Sequence, residues 1–303
     1  VLAAPGMSGT FFAFCNEPWH PWGLFRSQDG GKSWQPAMHG LADLRVRGMA
    51  LSPNFAQDGT AVLLAGESGI FRTRDGGENW MRISPLVASH IAMALTSTGA
   101  PTFLALAQDA GNSAQTVIYA PSERAGEVQR IGSIAVPAYL IKALALSPYF
   151  AHDGIALIAA EQYGLLRSSD GGRSWRTVGP ALSGALLSAA FLFPPASVGQ
   201  QAWYVFLEQG LYGGGVVRVL LRSTDQGLSW QRAINLDERI CALAMAPDGR
   251  MWAGDLYGRV APLDPAHLAW ELVAVPTPSA TPHPPVTPAP TPSLFPTVQP
   301  GEG

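Results

Sequence analysis

The feature that most limits what this 303-residue chain can fold into is a nine-residue segment that recurs four times without gaps. The copies are Arg26-Ser-Gln-Asp-Gly-Gly-Lys-Ser-Trp34, Arg72-Thr-Arg-Asp-Gly-Gly-Glu-Asn-Trp80, Arg167-Ser-Ser-Asp-Gly-Gly-Arg-Ser-Trp175 and Arg222-Ser-Thr-Asp-Gln-Gly-Leu-Ser-Trp230. A second motif, Leu51-Ser-Pro-Asn-Phe-Ala-Gln-Asp-Gly59, returns as Leu146-Ser-Pro-Tyr-Phe-Ala-His-Asp-Gly154. The four tryptophans lie 46, 95 and 55 residues apart, so the middle interval holds two periods and implies a degenerate copy. Residues 116–122 and 127–131 supply it, with Val128 at the Trp position. A sixth unit ends at Trp270, where Pro262-Leu-Asp-Pro265 replaces the turn. Repetition at such a period means one supersecondary unit copied side by side. Six units fill residues 1–275.

Each unit reads as four short strands. In the second these are residues 46–52, 61–66, 69–73 and 79–83, aliphatic runs bounded by Gly, Pro, Asp and Asn with no competing helical period. The first unit has a shortened inner strand at residues 1–5, followed by one at 10–14. The 33 Gly and 26 Pro suit many short elements separated by turns. Four-stranded units at this spacing predict an all-β fold, a six-bladed β-propeller that protects its sheet edges by radial closure. The composition agrees: 47 % of residues are apolar and only 14 % charged, as expected where inner strands are buried on both faces. Within each copy, the Asp carboxylate and Ser/Thr hydroxyl can hold the turn backbone, Gly supplies positive φ, and Trp anchors the outer strand.

These residues resemble the Asp-box, or BNR repeat, of sialidases, xyloglucan-active glycosidases, sortilin-type receptors and the photosystem II assembly/stability factor. The resemblance covers about nine-tenths of the chain and implies a fold, with structural roles for Asp29, Gly31, Trp34, Asp75, Gly77, Trp80, Asp170, Gly172, Trp175, Asp225, Gly227 and Trp230. It does not imply a chemistry. A sialidase-like site would need three converging arginines and a Tyr–Glu pair. Arg26, Arg72, Arg167 and Arg222 instead recur on equivalent strands, and the Arg-Ile-Pro step usual in that family is absent. A xyloglucanase-like site would need two carboxylates across a cleft between two propellers, and one propeller fits here.

If the boxes lie on one face, the loops between second and third strands lie on the other. There an acidic residue closes the second strand of every unit: Glu17, Glu67, Asp109, Glu161, Glu208 and Asp255. Such a ring can serve a cation or basic partner, or a general acid and base. Alternatively each accepts turn amides or pairs with a base such as Arg45, Arg47, Lys142 or Arg239. Unit one inserts a loop with Trp19, His20 and Trp22, suited to stacking on a sugar or on a partner's apolar surface. Unit five inserts residues 209–215, a lid or a lengthened hairpin. Cys15 and Cys241 fall at one face of neighbouring units in a closed ring, where a disulfide or two buried thiols would fit. No residue cluster has metal-ligand spacing, and no phosphate loop or cofactor signature is present.

From residue 276 the composition changes. Ten of the last 28 residues are Pro, in an extended tail whose Thr-Pro steps at Thr277, Thr281, Thr287 and Thr291 suit O-glycosylation. Domains are therefore expected at 1–275 and 276–303. A net charge of −3 lacks the basic excess needed to grip nucleic acid. No apolar run approaches the ~18 residues of a membrane span. The expectation is an extracytoplasmic, non-catalytic scaffold, secreted or at the cell surface. It would bind a protein partner, like subunits or a glycan, with a glycoside hydrolase as the alternative.

Overall fold

In the computed structural model, residues 2–3, 9–15, 23–122, 127–180, 185–194, 202–211, 214–246 and 248–273 are described. Every repeat unit forms its own antiparallel sheet, with strands in chain order from axis to rim. Blade one contains β1 (Leu2–Ala3), β2 (Phe11–Cys15), β3 (Gly23–Ser27) and β4 (Gln35–Pro36). Blade two contains β5 (Val46–Leu51), β6 (Ala61–Ala65), β7 (Gly69–Thr73) and β8 (Met81–Ser84). Blade three contains β9 (His90–Leu95), β10 (Pro101–Gln108), β11 (Thr116–Pro121) and β12 (Val128–Ile134), so the degenerate copy folds like the others. Blade four contains β13 (Ile141–Leu146), β14 (Ala156–Ala160), β15 (Gly164–Ser168) and β16 (Arg176–Thr177). Blade five contains β17 (Ala185–Leu192), β18 (Trp203–Gly210), β19 (Val216–Ser223) and β20 (Gln231–Ala233). Blade six contains β21 (Ile240–Met245), β22 (Met251–Asp255) and β23 (Val260–Leu263). The fold is an all-β six-bladed propeller on a four-strand plan.

The final strand, β24 (Trp270–Leu272), departs from the sequence expectation. It pairs with β20 as a fifth strand of blade five and leaves blade six with three. The cause is local. Pro265 opens a short 3-10 turn whose first amides are capped by Asp264, which accepts from Ala266 N at 2.9 Å. That corner carries the chain across to blade five, where Ile234 N donates to Ala269 O and Val273 N to Trp230 O. The exposed edge of β23 is short and carries Pro262, which has no amide to offer a passing strand.

Second strands are the most buried: all five residues of both β6 and β14 lie out of solvent. Apolar clusters join consecutive blades, from one–two through five–six. A polar lock accompanies the packing. Arg26 on blade one donates to Gly76 O in the turn of blade two at 2.7 Å. Arg167 on blade four donates to Gln226 O in the turn of blade five at 2.9 Å. The second box glycine permits the approach: a Cβ on Gly77 would meet the Phe12 ring at 2.8 Å, and one on Gly172 would meet Leu104 at 2.9 Å.

The seam between blades six and one differs among the described residues. Among the described residues no apolar cluster spans that seam. Trp34 is 37 % exposed, whereas Trp80 is 4 % and Trp230 is 1 %. Trp252 pairs with Pro262 as Phe12 pairs with Arg26, and is 38 % exposed. Ala242 and Ala244, beside it on β21, also face solvent.

Candidate functional site

The two ends of the wheel differ in chemistry. One end gathers the box turns and the loops between first and second strands, tied together by Gly30 N to Gly9 O, Gly76 N to Gly59 O and Gly171 N to Gly154 O, at 2.9–3.0 Å. The second sequence motif forms those loops. Ser52 donates to Asp58 at 2.6 Å and Asp58 accepts from Thr60 N at 2.7 Å, with Ser147, Asp153 and Ile155 repeating the arrangement.

Each box Asp is a structural acceptor. Asp75 Oδ1 accepts from the Thr73 hydroxyl (2.6 Å) and from Asn79 N (3.0 Å), while Gly77 N donates to Thr73 Oγ1 (3.0 Å). Asp29, Asp170 and Asp225 repeat this with Ser27, Ser168 and Ser223. Hydrogen bonds from the Ser33 hydroxyl and amide hold the Asp29 carboxyl at about 2. Burial pushes the Asp75 carboxyl up, but donation from Thr73 and Asn79 outweighs it and leaves the group at about 2. These carboxylates are fully engaged in their own turns.

The other end carries the acidic residues that close the second strands. Glu67 pairs with Arg47, Asp109 with Arg130 at 3.7 Å, Glu161 with Lys142 at 3.6 Å, Glu208 with Arg218 at 2.9 Å and Asp255 with Arg259 at 3.9 Å. Every one of the five described acids therefore faces a cation. Arg47 and Lys142 are the bases expected from sequence, whereas Arg45 and Arg239 pair with Asp43 and Asp237. Arg218 lies directly opposite Glu208 in the sheet register, and Arg130 reaches Asp109 from the fourth strand. Glu17 and the loop holding Trp19, His20 and Trp22 lie outside the described residues, as do Thr277, Thr281, Thr287 and Thr291 in the tail.

Two alternatives left open by the sequence narrow here. The insertion in unit five lengthens a hairpin: β18 and β19 stay paired to Gly210 and Val216, and Leu211 N donates to Gly215 O at 3.1 Å. Cys241 is a free thiol whose sulfur approaches Gly254 O at 3.6 Å. The bridge to Cys15 is not made; the Cys15 side chain lies outside the described residues.

The same end exposes apolar side chains that the repeat pattern did not single out. Leu211 and Val216 project from the long hairpin of blade five, Leu187 from the start of β17 beside it, and Leu256 and Tyr257 from the loop of blade six. Their only signal in the sequence was an aliphatic or aromatic residue where the other units have polar turns. Nearer the axis, burial first and then the Lys142 charge hold His90 at about 4. Among the described residues no group of three or more His, Cys, Asp or Glu can hold a metal ion, and no helix is long and apolar enough to cross a membrane.

Comparison with known proteins agrees with this architecture. The family described as BNR/Asp-box repeat matches residues 25–36. No curated protein matches the sequence. Similar solved structures include an ancestral GH74 enzyme, with TM-score 0.59, 14 % identity and coverage of 89 % of this chain and 37 % of that one. The GH74 xyloglucanase from Xanthomonas campestris gives 0.51 and 22 %, over 82 % of this chain and 34 % of its own. TolB from Acinetobacter baumannii gives 0.52 and 13 %, over 88 % and 64 %. The chain thus spans about a third of the length of the GH74 enzymes. At these identities the likeness is one of fold. With four boxes built alike in the turns between third and fourth strands, the chain is a six-bladed β-propeller that carries BNR/Asp-box repeats.

Proposed function

We propose that this chain is a non-catalytic binding scaffold that offers the acid-lined end of its propeller to a protein partner, like subunits or a glycan. The observation that carries the reading is the pairing of all five described acids with cations. A glycosidase needs one carboxyl kept protonated and another left free to attack or to activate water. Here each of the five acids has a cation within 4 Å, the arrangement of structural ion pairs and not of an unpaired acid and base. The exposed Leu187, Leu211, Val216, Leu256 and Tyr257 beside these pairs make a mixed apolar and polar surface of the kind proteins bind. The tail would tether or strap the wheel to its partner. Its Ser/Thr/Pro composition supports an extracytoplasmic setting.

The GH74 neighbours keep hydrolysis as the second reading. The purified chain should release no sugar from xyloglucan or from a sialyl-lactose substrate. Turnover that disappears in the Glu161→Gln, Glu208→Gln double variant would replace the scaffold with a glycosidase. Removing residues 276–303 should leave the melting temperature unchanged while abolishing assembly, and unchanged assembly would defeat the strap.

A further inference from the structure

Four third strands carry the box arginine, and two of these arginines face a neighbour without a box. Arg26 and Arg167 hold the turn carbonyl of the next blade. Arg222 on blade five looks toward blade six, where the corner at Pro262–Pro265 offers no such carbonyl. Its Nε and Nη2 turn back to Gln231 Oε1 at 3.1 and 2.5 Å, and the guanidinium lies 4.3 Å over the Trp270 ring. Its Nη1 has no acceptor among the described residues.

The slot left by the missing turn is a cavity of about 610 Å³ between blades five and six, within the size range of small-molecule sites. Arg222 and Arg250 contribute two guanidinium groups to it, Met245, Met251 and Leu263 an apolar wall, and Tyr204 and Asp264 two oxygens. Tyr204 is only 8 % exposed, and its hydroxyl has no hydrogen-bond partner among the described residues. Arg250 is held only loosely, by Asp248 at 3.5 Å. The other arginine without a box to hold, Arg72, lines a cavity of about 80 Å³ beside the degenerate turn of blade three. That volume takes a few waters and nothing larger.

A guanidinium with a free donor fits a carboxylate, and an unpaired phenol beside Asp264 fits hydroxyl groups. The thioether and aliphatic wall fits the apolar face of a ring. We propose that this cavity binds a hydroxylated carboxylic acid of sugar size. The acid group sits on Arg222 and Arg250, and the hydroxyls reach Tyr204 and Asp264. The cavity opens among the box turns, at the end of the wheel opposite the acids, so the inference is independent of the scaffold reading.

Calorimetric titration with D-glucuronate, using D-glucose as the neutral control, tests it on the intact chain. Saturable one-to-one binding is expected, about tenfold weaker or absent for D-glucose. Arg222→Gln should weaken it by about tenfold, and Glu67→Gln at the far end should change nothing. Because Arg222 also stacks on Trp270, Arg250→Ala and Tyr204→Phe are the variants that decide, each lowering affinity severalfold while the melting temperature stays put. No binding of D-glucuronate, equal binding of D-glucose, or affinity indifferent to Arg250→Ala and Tyr204→Phe would overturn the site.

Discussion

Trp80 and Trp230 occupy the same place in their boxes, yet only one indole is satisfied. Trp80 Nε1 donates to Ala37 O at 2.9 Å across the blade boundary, while Trp230 Nε1 is buried without a partner. A hydrogen bond of this kind is worth about 0.5–1.5 kcal/mol net, and a buried unpaired donor costs about 1–3 kcal/mol. Trp80→Phe should therefore destabilise clearly more than Trp230→Phe, the difference being on the order of 1–2 kcal/mol in urea unfolding. Equal losses would contradict this. The box aspartates carry a pH signature. The folded carboxyls of Asp29 and Asp75 sit at about 2, below the unfolded value of 3.8, so their stabilisation is complete above about pH 4 and drains away between 4 and 2. His90, held at about 4 against 6.5 when unfolded, acts higher. The folded state excludes its proton, so stability falls as pH drops from 6.5 to 4 and levels off below. The melting temperature of His90→Gln should lose its slope in that window and keep the one below pH 4.

At the scale of strands, β24 closes blade five from outside, and Trp270 is its main contact. The ring holds the Arg222 cation and lies 6.2 Å from the Tyr204 ring. A cation over an indole contributes about 0.5–2 kcal/mol, and removing a half-buried Trp adds lost apolar area. Trp270→Ala should cost about 2–4 kcal/mol in chemical denaturation; a loss below about 0.5 kcal/mol would show β24 to be dispensable. This strand also marks where the sequence stops being legible. Strands inside a unit follow from runs and turns a few residues long, and the box turns from contacts no further than four residues apart, so both could be read directly. Trp270 was recognisable as the sixth Trp, but the sheet it joins depends on the corner at Asp264–Pro265, whose direction the repeat does not encode. The acidic residues were visible for the same local reason. Their partners were legible only for Arg47 and Lys142, which open the neighbouring inner strand, because Arg218 meets Glu208 through cross-strand register and Arg130 reaches Asp109 from an outer strand. The cavity beside Arg222 was hidden, since it is made by the absence of a turn.

Across the whole molecule, apolar clusters among the described residues join five of the six blade boundaries. Repeat architectures gain stability from nearest-neighbour interfaces, so blades three and four, packed on both sides and farthest from blades one and six, should be the last to open. Native-state hydrogen exchange should find amides of β21 and β22 opening at least about tenfold faster than those of β10 and β14. Uniform protection around the wheel would mean that the exposed Trp252 face is covered in solution. Heat or tension would then be relieved first where Trp34 and Trp252 stand apart, and melting would travel inward from both ends of the chain. A partner that bridges blades six and one would act as a clasp across this gap: its own binding energy would be added to the stability of the wheel, and thermal resistance would rise in step with occupancy.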